Sequence, residues 1–313
     1  MDMYQKRKKR QEMKNSENKE ETQNQMNINW YPGHMAKTKK QIIQDLKLID
    51  IVMEIVDARI PVASHNPDLG EIIKNKKRII ILNKSDLADE NESKKWIEYY
   101  KNMGIVALTA DCNQGKGINE SINKIKELMK EDIQKDMEKG KVGRKIRVLV
   151  LGIPNVGKSS YINRATKRVT AKVGNKPGVT KQKQWIRLEN NIELLDTPGV
   201  LWPKFEDKEI ALNLAYTGTI KDDILDKVDL AYYLLKNLIE NYPKNVKIRF
   251  KLEEFIETTE KNEDFILEQM KTIGKKRGAI VSGGRVDLEK TANIILDDFR
   301  TGKLGRITLE KVR

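Results

Sequence analysis

Short apolar runs recur along the first two thirds of the chain, and turn-forming residues bound most of them. Each run has four to six residues and is rich in Ile, Val and Leu, which is the pattern of strands buried on both faces of a parallel sheet. The runs cover residues 51–56, 79–82, 105–108, 148–151 and 192–195. We therefore expect a parallel sheet with one strand at each run.

Helical periodicity fills several of the intervals, at about residues 36–48, 90–103, 117–138 and 158–166. Strands that alternate with helices predict a doubly wound α/β domain. After about residue 205 the pattern becomes mainly helical, with amphipathic segments such as 223–241 and 263–273. The expected division is a tail at 1–27, an α/β domain at 28–205 and a small all-helical domain at 206–313.

Residues 1–27 are polar and charged, and they include a basic run from Lys6 to Arg10. A segment with so few apolar side chains cannot form a core, so we expect a disordered basic tail. A solvated extension, an RNA contact and a nuclear-localisation signal remain open as its role.

Three features favour a bacterial cytoplasmic protein. No apolar run reaches the roughly 18 residues of a membrane span, and the chain does not start with the apolar core of a signal peptide. Five acidic residues in the tail disfavour a mitochondrial transit peptide. A lone Cys112, with only His34 and His65 as histidines, excludes internal disulfides and Cys-rich or His-rich metal centres and suits a reducing compartment.

The basic residues are unevenly distributed along the chain. The net charge is +14, with a pI of about 9.5. From Lys139 to Arg187 there are 14 Lys or Arg and no Asp or Glu, whereas basic and acidic residues balance elsewhere. A solvated Lys-rich surface is one explanation, but an acid-free stretch of this length favours an anionic partner such as nucleic acid.

Residues Gly152 to Ser159 fit the P-loop pattern GxxxxGK[ST], between an expected strand and an expected helix. The glycines let backbone N–H groups turn inward around phosphates. We expect Lys158 to reach the β- and γ-phosphates and the Ser159 hydroxyl to bind Mg²⁺. The expected phosphate-contacting residues are Asn155, Val156, Gly157, Lys158, Ser159 and Ser160. This motif predicts a nucleoside triphosphate and does not distinguish ATP from GTP.

Asn83-Lys84-Ser85-Asp86 follows the expected strand 79–82 and fits the pattern NKxD. A carboxylate at Asp86 can accept hydrogen bonds from guanine N1–H and the 2-amino group, a donor pair that adenine lacks. Leaving such groups unpaired costs about 1–3 kcal/mol each, so Asp86 favours GTP. We expect Asn83 to tie this loop to the P-loop and the stem of Lys84 to cover the base. Four such residues also suit a surface turn, but beside a P-loop they predict guanine recognition.

Three further segments complete a GTPase set. Asp196-Thr-Pro-Gly199 fits DxxG, with Asp196 expected to hold Mg²⁺ through water and Gly199 to sense the γ-phosphate. Thr180 lies between the P-loop and DxxG, where a switch I threonine closes over Mg²⁺. Thr109 and Ala110 follow an expected strand and are expected to offer a backbone N–H to guanine O6. Each motif falls at the carboxyl end of a strand, where ligands bind in open α/β sheets.

The order of these motifs is circularly permuted relative to Ras-like proteins, because NKSD at 83–86 precedes the P-loop at 152–159 and DxxG at 196–199. The switch II region therefore leads directly into the helical domain. We expect loss of the γ-phosphate to alter how that domain is placed.

Four flanking segments, together with this motif order, resemble the YlqF/YawG group and, within it, the ribosome biogenesis GTPase A family. They are Asn29–Lys37, Ile55–Pro61, Asp196–Pro203 and Phe299–Arg306. The resemblance implies binding of GTP and GDP and hydrolysis of GTP at a low intrinsic rate, stimulated by the ribosomal particle during late assembly of the large (50S) subunit. It also implies that the helical domain contacts rRNA, with ribosomal proteins as further partners.

The resemblance carries two roles onto matched positions. Val200 follows DxxG where Ras-like enzymes have a water-orienting glutamine, so another group must position the water. The family's candidate is His34, which makes His34, Lys158 and Thr180 the expected catalytic set, although a structural histidine that contacts rRNA phosphate remains the alternative. Asn155 is the family's candidate ligand for a K⁺ ion that supplies positive charge beside the phosphates.

Three rival functions remain open. A P-loop ATPase or small-molecule kinase would need NKSD to be coincidental. An RNA-binding protein that uses GTP without turnover would fit Val200. A GTPase with a small-subunit precursor or another RNA as its target would share every motif, since a basic surface does not identify a particular polyanion. We expect a monomer, because no heptad seam is present.

Overall fold

The computed structural model describes residues 40, 42–73, 75–166, 184–188, 191–197, 199, 207–220, 226–252 and 263–312. The predicted tail at 1–27 lies outside these ranges. So do His34, Thr180 and Val200, and their expected roles remain predictions.

A six-stranded sheet in the order β3-β2-β1-β4-β6-β5 carries the motifs. Its strands are β1 (Ile51–Asp57), β2 (Lys77–Asn83), β3 (Val106–Thr109), β4 (Ile146–Leu151), β5 (Gln184–Arg187) and β6 (Ile192–Asp196). β1 pairs in parallel with β2 and β4, β2 with β3, and β4 with β6. All five apolar runs form strands, as predicted.

The remaining strand, β5, corrects the expectation of a wholly parallel sheet. It pairs antiparallel with β6 at the edge of the sheet. Ile186 is buried while Trp185 is 43% exposed, so the segment has no continuous apolar run to reveal it. A strand with one face buried and the other exposed alternates apolar and polar positions and forms no continuous apolar run.

Helices cover both faces of the sheet. They are α1 (Pro67–Ile73), α2 (Glu90–Asn102), α3 (Ile118–Glu138) and α4 (Lys158–Thr166), and residues 42–45 are also helical ahead of a 3₁₀ turn at Leu46–Leu48. Within β1, Met53 packs in one hydrophobic cluster with Ile125 of α3, whereas Val56 packs in another with Trp96 of α2. This two-sided burial confirms the doubly wound α/β class, and only α1 was not anticipated from the sequence.

Within the described residues after 206, the helices are α5 (Lys208–Tyr216), α6 (Lys227–Asn241), α7 (Pro243–Phe250), α8 (Glu263–Lys276) and α9 (Leu288–Arg300). Asp226 and Asp287 cap α6 and α9, because their carboxylates accept backbone N–H groups of the first turn. The helices agree with the predicted helical pattern, while the boundary at residue 205 stays a prediction. No described helix is long and apolar enough to cross a membrane.

The chain after α9 returns to the sheet. The backbone N–H of Ile307 donates to the Leu87 carbonyl at 2.9 Å, and that of Leu309 donates to the Arg59 carbonyl at 2.8 Å. One continuous hydrophobic cluster accordingly contains residues of β1 and of α9. The helical region is therefore packed against the loops that follow β1 and β2.

Candidate nucleotide-binding site

The P-loop runs from β4 to α4, and two of its glycines adopt backbone conformations that other residues rarely reach. Gly152 has a φ of +147° and Gly157 a φ of +101°. A Cβ at Gly152 would overlap the carbonyl oxygen of Ile55, and a Cβ at Gly157 would overlap the side-chain amide of Asn83. Glycine is required at both positions, because the loop lies directly against β1 and the NKSD segment.

Lys158 is the first residue of α4, and its ammonium group lies inside the P-loop. Nζ donates to the carbonyl oxygens of Gly152 at 2.8 Å and Ile153 at 2.9 Å. Burial lowers the pKa of Lys158 to about 8, although Asp196 opposes this shift. A Cβ on Gly199 would lie 3.1 Å from Nζ. The two groups expected to meet the γ-phosphate are thus neighbours.

Asp196 is the last residue of β6, and its side chain is completely buried. Neither carboxylate oxygen has a hydrogen-bond partner within the described part of the chain. Burial raises the pKa of Asp196 to about 6, and the nearby Lys158 moderates the rise. Buried polar groups are normally paired, so an orphaned carboxylate beside a P-loop is suited to a ligand. Carboxylate and hydroxyl oxygens are what Mg²⁺ prefers, and Ser159 lies in the adjacent first turn of α4.

Asn83, the last residue of β2, joins three loops through one side chain. Its Nδ2 donates to the Val156 carbonyl in the P-loop at 2.7 Å. Its Oδ1 accepts from the backbone N–H of Cys112 at 3.1 Å. This is the tie between NKSD and the P-loop that the sequence leads us to expect, and it extends to the loop after β3.

Lys84 is held by a carboxylate at the end of a neighbouring strand. Its backbone is left-handed, with a φ of +59°. Nζ pairs with Asp57 Oδ2 at 2.8 Å. Asp57 also receives Nε and Nη2 of Arg59 at 2.9 and 2.8 Å. Burial alone would raise the pKa of Asp57, but Arg59 and Lys84 outweigh it and hold that pKa well below its usual range.

Asp86, the specificity residue expected from NKSD, is partly exposed at the mouth of the site. Its Oδ1 is buried and makes no hydrogen bond to the rest of the described chain. Burial raises the pKa of Asp86, and the neighbouring Asp111 carboxylate adds to the rise. A carboxylate with an unsatisfied acceptor is chemically suited to the N1–H and 2-amino donors of guanine.

The Thr109-Ala110 turn is less open than expected. The backbone N–H of Ala110 donates to the Leu82 carbonyl at 2.9 Å, and the Ala110 carbonyl accepts from the Ser85 N–H at 3.1 Å. A contact of Ala110 N–H with guanine O6 would therefore share this donor with Leu82. The turn itself is tight, since a Cβ at Gly117 would overlap the Thr109 carbonyl.

Asn155 connects the P-loop to the helical region. It has a left-handed backbone with a φ of +63°, and its Nδ2 donates to the Gly218 carbonyl just after α5 at 2.9 Å. The amide is thereby oriented by a residue outside the P-loop. Its expected role as a K⁺ ligand stays a prediction.

Comparisons with known proteins agree with this geometry. A family model described as 50S ribosome-binding GTPase matches residues 147–270, beginning at the P-loop strand and leaving Asn83–Asp86 outside. The ribosome biogenesis GTPase A of Priestia megaterium is 48% identical over 91% of this chain and 97% of its own. The chain belongs to the ribosome biogenesis GTPase A family.

A sequence and a solved structure from Thermotoga maritima extend the comparison. The ribosome biogenesis GTPase A of that organism is 32% identical to this chain, over 91% of this chain and 94% of its own length. A crystal structure of GNP-bound YlqF superposes with a TM-score of 0.59 at 27% identity, over 88% of this chain and 98% of that chain. This protein is thus a GTPase that acts in ribosome biogenesis, and GTPases of this kind use Mg²⁺.

The sequence motifs did not predict a role for Asp57 and Arg59 in the nucleotide-binding site. Both lie in the segment Ile55–Pro61 that carries the resemblance, but the NKxD motif covers only Asn83–Asp86 and does not include them. A carboxylate as the last residue of a fully buried strand was the available signal, since burial of a charge requires a partner.

Proposed function

We propose that this protein hydrolyses GTP on the precursor of the large ribosomal subunit during late 50S assembly. The observation that supports hydrolysis best is the fully buried Asp196, with both oxygens unpartnered in the described chain, beside Lys158. A carboxylate in this position would hold the Mg²⁺ that accompanies the nucleotide phosphates. When bound, Mg²⁺ supplies positive charge at the phosphate oxygens.

The proposed intrinsic rate is low because Val200 follows DxxG. His34 then orients the attacking water or accepts its proton on the ribosome, Lys158 and Thr180 contact the γ-phosphate, and Asn155 holds K⁺. Val156, Gly157, Ser159, Ser160 and Gly199 surround the phosphates, and Asp196, Ser159 and Thr180 hold Mg²⁺. We further propose a monomer in the bacterial cytoplasm, in which the DxxG segment transmits the loss of γ-phosphate to the helical region.

A cationic cavity in the helical region supports the proposed rRNA contact. It has a volume of about 620 Å³ and lies between α7, α8 and the turn after α9. Of the ten described residues that line it, five are cationic and none is acidic: Arg249, Lys251, Lys276, Arg277 and Lys303. A phosphodiester backbone carries one negative charge per nucleotide, so an open pocket of this charge fits it.

One buried carboxylate, behind the lining, organises this cavity. Asp298 is 3% exposed and receives Nε and Nη2 of Arg249 at 2.8 and 2.9 Å. Arg277 and Lys303 also approach it, each at 3.8 Å. Three cations share a single negative charge, so the surface keeps an excess of positive charge while its arginines are held in place.

The first test is GTP hydrolysis with and without purified 50S subunits, in K⁺ and in Na⁺ buffer, for wild type and His34→Ala. We expect strong stimulation by 50S in K⁺ and its loss in His34→Ala, with GTP affinity retained. A flat rate with 50S, together with stimulation by 30S or free RNA, would show that the partner is wrong. Tight 50S binding without turnover would instead identify a GTP-regulated RNA-binding protein.

A second test separates the cavity from general electrostatics. Lys251→Glu with Lys276→Glu reverses two charges in the cavity, whereas Lys130→Glu with Lys135→Glu reverses two exposed charges on α3, outside the basic stretch that starts at Lys139. We expect the first pair to lower 50S affinity by at least about tenfold more than the control pair. Equal losses would mean that net charge alone drives binding.

A further inference from the structure

Three consecutive residues at the end of α9 contact three different sites. Asp298 orients the cations of the cavity described above. Phe299 faces the residues that hold Lys84, and Arg300 reaches the residues that hold the P-loop. At the end of α9, consecutive residues therefore connect the cationic cavity to both nucleotide-binding loops.

The Phe299 contact leads to the guanine side. Its ring lies 5.2 Å from the guanidinium carbon of Arg59, and both side chains are 2% exposed. Nη1 of Arg59 has no hydrogen-bond partner in the described ranges, so the ring face adds a cation–π contact to the pairing of Arg59 with Asp57. Arg59 donates two hydrogen bonds to Asp57. Asp57 in turn pairs with Lys84, which lies two residues before Asp86. The ring thus stabilises the group that positions the guanine-binding loop.

The Arg300 contact leads to the phosphate side. Nε donates to the Tyr216 carbonyl at 2.9 Å and Nη2 to the Ala215 carbonyl at 2.8 Å, which closes the last turn of α5. Two residues later, the Gly218 carbonyl accepts the amide of Asn155 in the P-loop at 2.9 Å. Arg300 therefore fixes the turn that orients Asn155.

The chain beyond α9 reinforces the guanine branch. The Thr308 hydroxyl accepts from the Asp89 N–H at 3.1 Å, and the Ile307 N–H donates to the Leu87 carbonyl at 2.9 Å. Residues just after NKSD are thus bonded directly to residues seven and eight positions beyond the end of α9. A short connecting segment therefore joins the helix end to the guanine-binding loop.

We propose that the end of α9 is a positioning element for the nucleotide site: Phe299 sets the guanine loop, Arg300 sets the P-loop, and an anionic partner in the cavity changes nucleotide affinity through them. The identity of that partner as the large subunit rests on the proposed function. This route is separate from the DxxG segment. Coupling of this kind is reciprocal, so nucleotide must also change affinity for the partner.

The positioning role is tested on the purified full chain without ribosomes, by the affinities of GDP and IDP. Inosine lacks the 2-amino group that Asp86 is expected to bind. Phe299→Leu should weaken GDP about tenfold and IDP much less, so that the GDP:IDP preference shrinks. Arg300→Gln should weaken both by the same factor, because the P-loop contacts the phosphates that the two nucleotides share.

Two control variants separate positioning from general loss of stability. Phe299→Tyr keeps an aromatic ring over Arg59 and should retain the wild-type GDP:IDP preference. Met270→Ala removes a buried side chain from α8 and should lower stability without changing that preference. A preference that is unchanged in Phe299→Leu, or changed equally in Met270→Ala, overturns the proposal.

The coupling is tested by the GDP dissociation rate with and without purified 50S subunits. We expect 50S to change the wild-type rate several-fold and to change it much less in Phe299→Leu combined with Arg300→Gln. An equal change in both proteins would show that the partner acts by another route. If wild type does not bind 50S at all, the proposed partner is wrong, while the GDP:IDP result still decides the positioning role.

Discussion

Two buried aspartates end the strands on either side of the P-loop strand, and they differ in whether their carboxylates are paired. Asp57 ends β1 and Asp196 ends β6, the two neighbours of β4, and each is completely buried. Asp57 is paired with Arg59 and Lys84, which hold its pKa well below the usual range. Asp196 has no hydrogen-bond partner in the described chain, and burial raises its pKa to about 6.

This difference distinguishes the two halves of the site. On the guanine side, Asn83 and Asp57 hold the loops that present Asp86, so the support of the base-binding group is complete without nucleotide. On the phosphate side, Asp196 has no hydrogen-bond partner in the described chain, and the nearby Lys158 only partly offsets the cost of burying its charge. The protein therefore preorganises base recognition and leaves the phosphate side to be stabilised by ligand.

The largest effect should follow removal of the satisfied charge. Asp57→Asn leaves Arg59 and Lys84 without their anion, and removal of one partner from a buried ion pair costs about 3–5 kcal/mol. Urea unfolding of the nucleotide-free protein should show this loss. A change below about 1 kcal/mol would mean that the cations find other partners.

The corresponding substitution on the phosphate side, Asp196→Asn, should leave stability intact and strongly reduce GTP hydrolysis. Asp196→Asn removes a charge whose burial costs more than the nearby Lys158 returns, as the raised pKa of Asp196 indicates, so the free energy of unfolding without nucleotide should not fall. Hydrolysis of GTP in Mg²⁺ should fall about 100-fold, equivalent to about 3 kcal/mol. Unfolding and single-turnover hydrolysis on one preparation test both halves, and a loss of stability like that of Asp57→Asn would refute the contrast.

A smaller effect is expected for base specificity. Asp86→Asn replaces one of the two acceptor oxygens by an amide NH₂, which leaves one guanine donor unpaired and should weaken GDP roughly 30-fold, since an unpaired donor costs about 1–3 kcal/mol. The new donor matches the 2-oxo group of xanthine, so the relative affinity for xanthosine diphosphate should improve. Competition binding measures both values. Ser85→Ala, at the variable position of NKSD, is the control and should bind GDP like wild type.

The smallest effect concerns the contact between the C-terminal segment and the loop after β1. Burial raises the pKa of Glu310 to about 7, although the N–H groups of Val62 and Ala63 and the amide of Asn213 all donate to it. A carboxyl with a raised folded-state pKa loses stabilising effect as pH rises from about 4.5 to 7, because the unfolded chain ionises first. Glu310→Gln should therefore gain stability relative to wild type as the pH rises from about 4.5 to about 7.5 in urea unfolding. If the difference in unfolding free energy between Glu310→Gln and wild type stays constant across this pH range, the burial effect is contradicted.

Much of the fold followed from local patterns. Runs such as 79–82 and 148–151 predicted buried strands because both faces of those strands are covered, and helices α2, α3 and α4 began and ended close to their expected limits. β5 was missed because a strand with one face buried and the other exposed forms no continuous apolar run. The roles of His34 and Thr180 stay predictions, because both residues lie outside the described ranges.

The sequence by itself determined which chemical groups enter the nucleotide site, because P-loop, NKxD and DxxG patterns are short and their spacing within each loop is set by the ligand. Only the tertiary structure decided what holds those groups in place. Asp57 reaches Lys84 across neighbouring strands, and Phe299 reaches Arg59 over more than 200 residues of chain. Such contacts depend on strand order and helix packing, which are set by the sum of many burial energies and leave no local signature in the sequence.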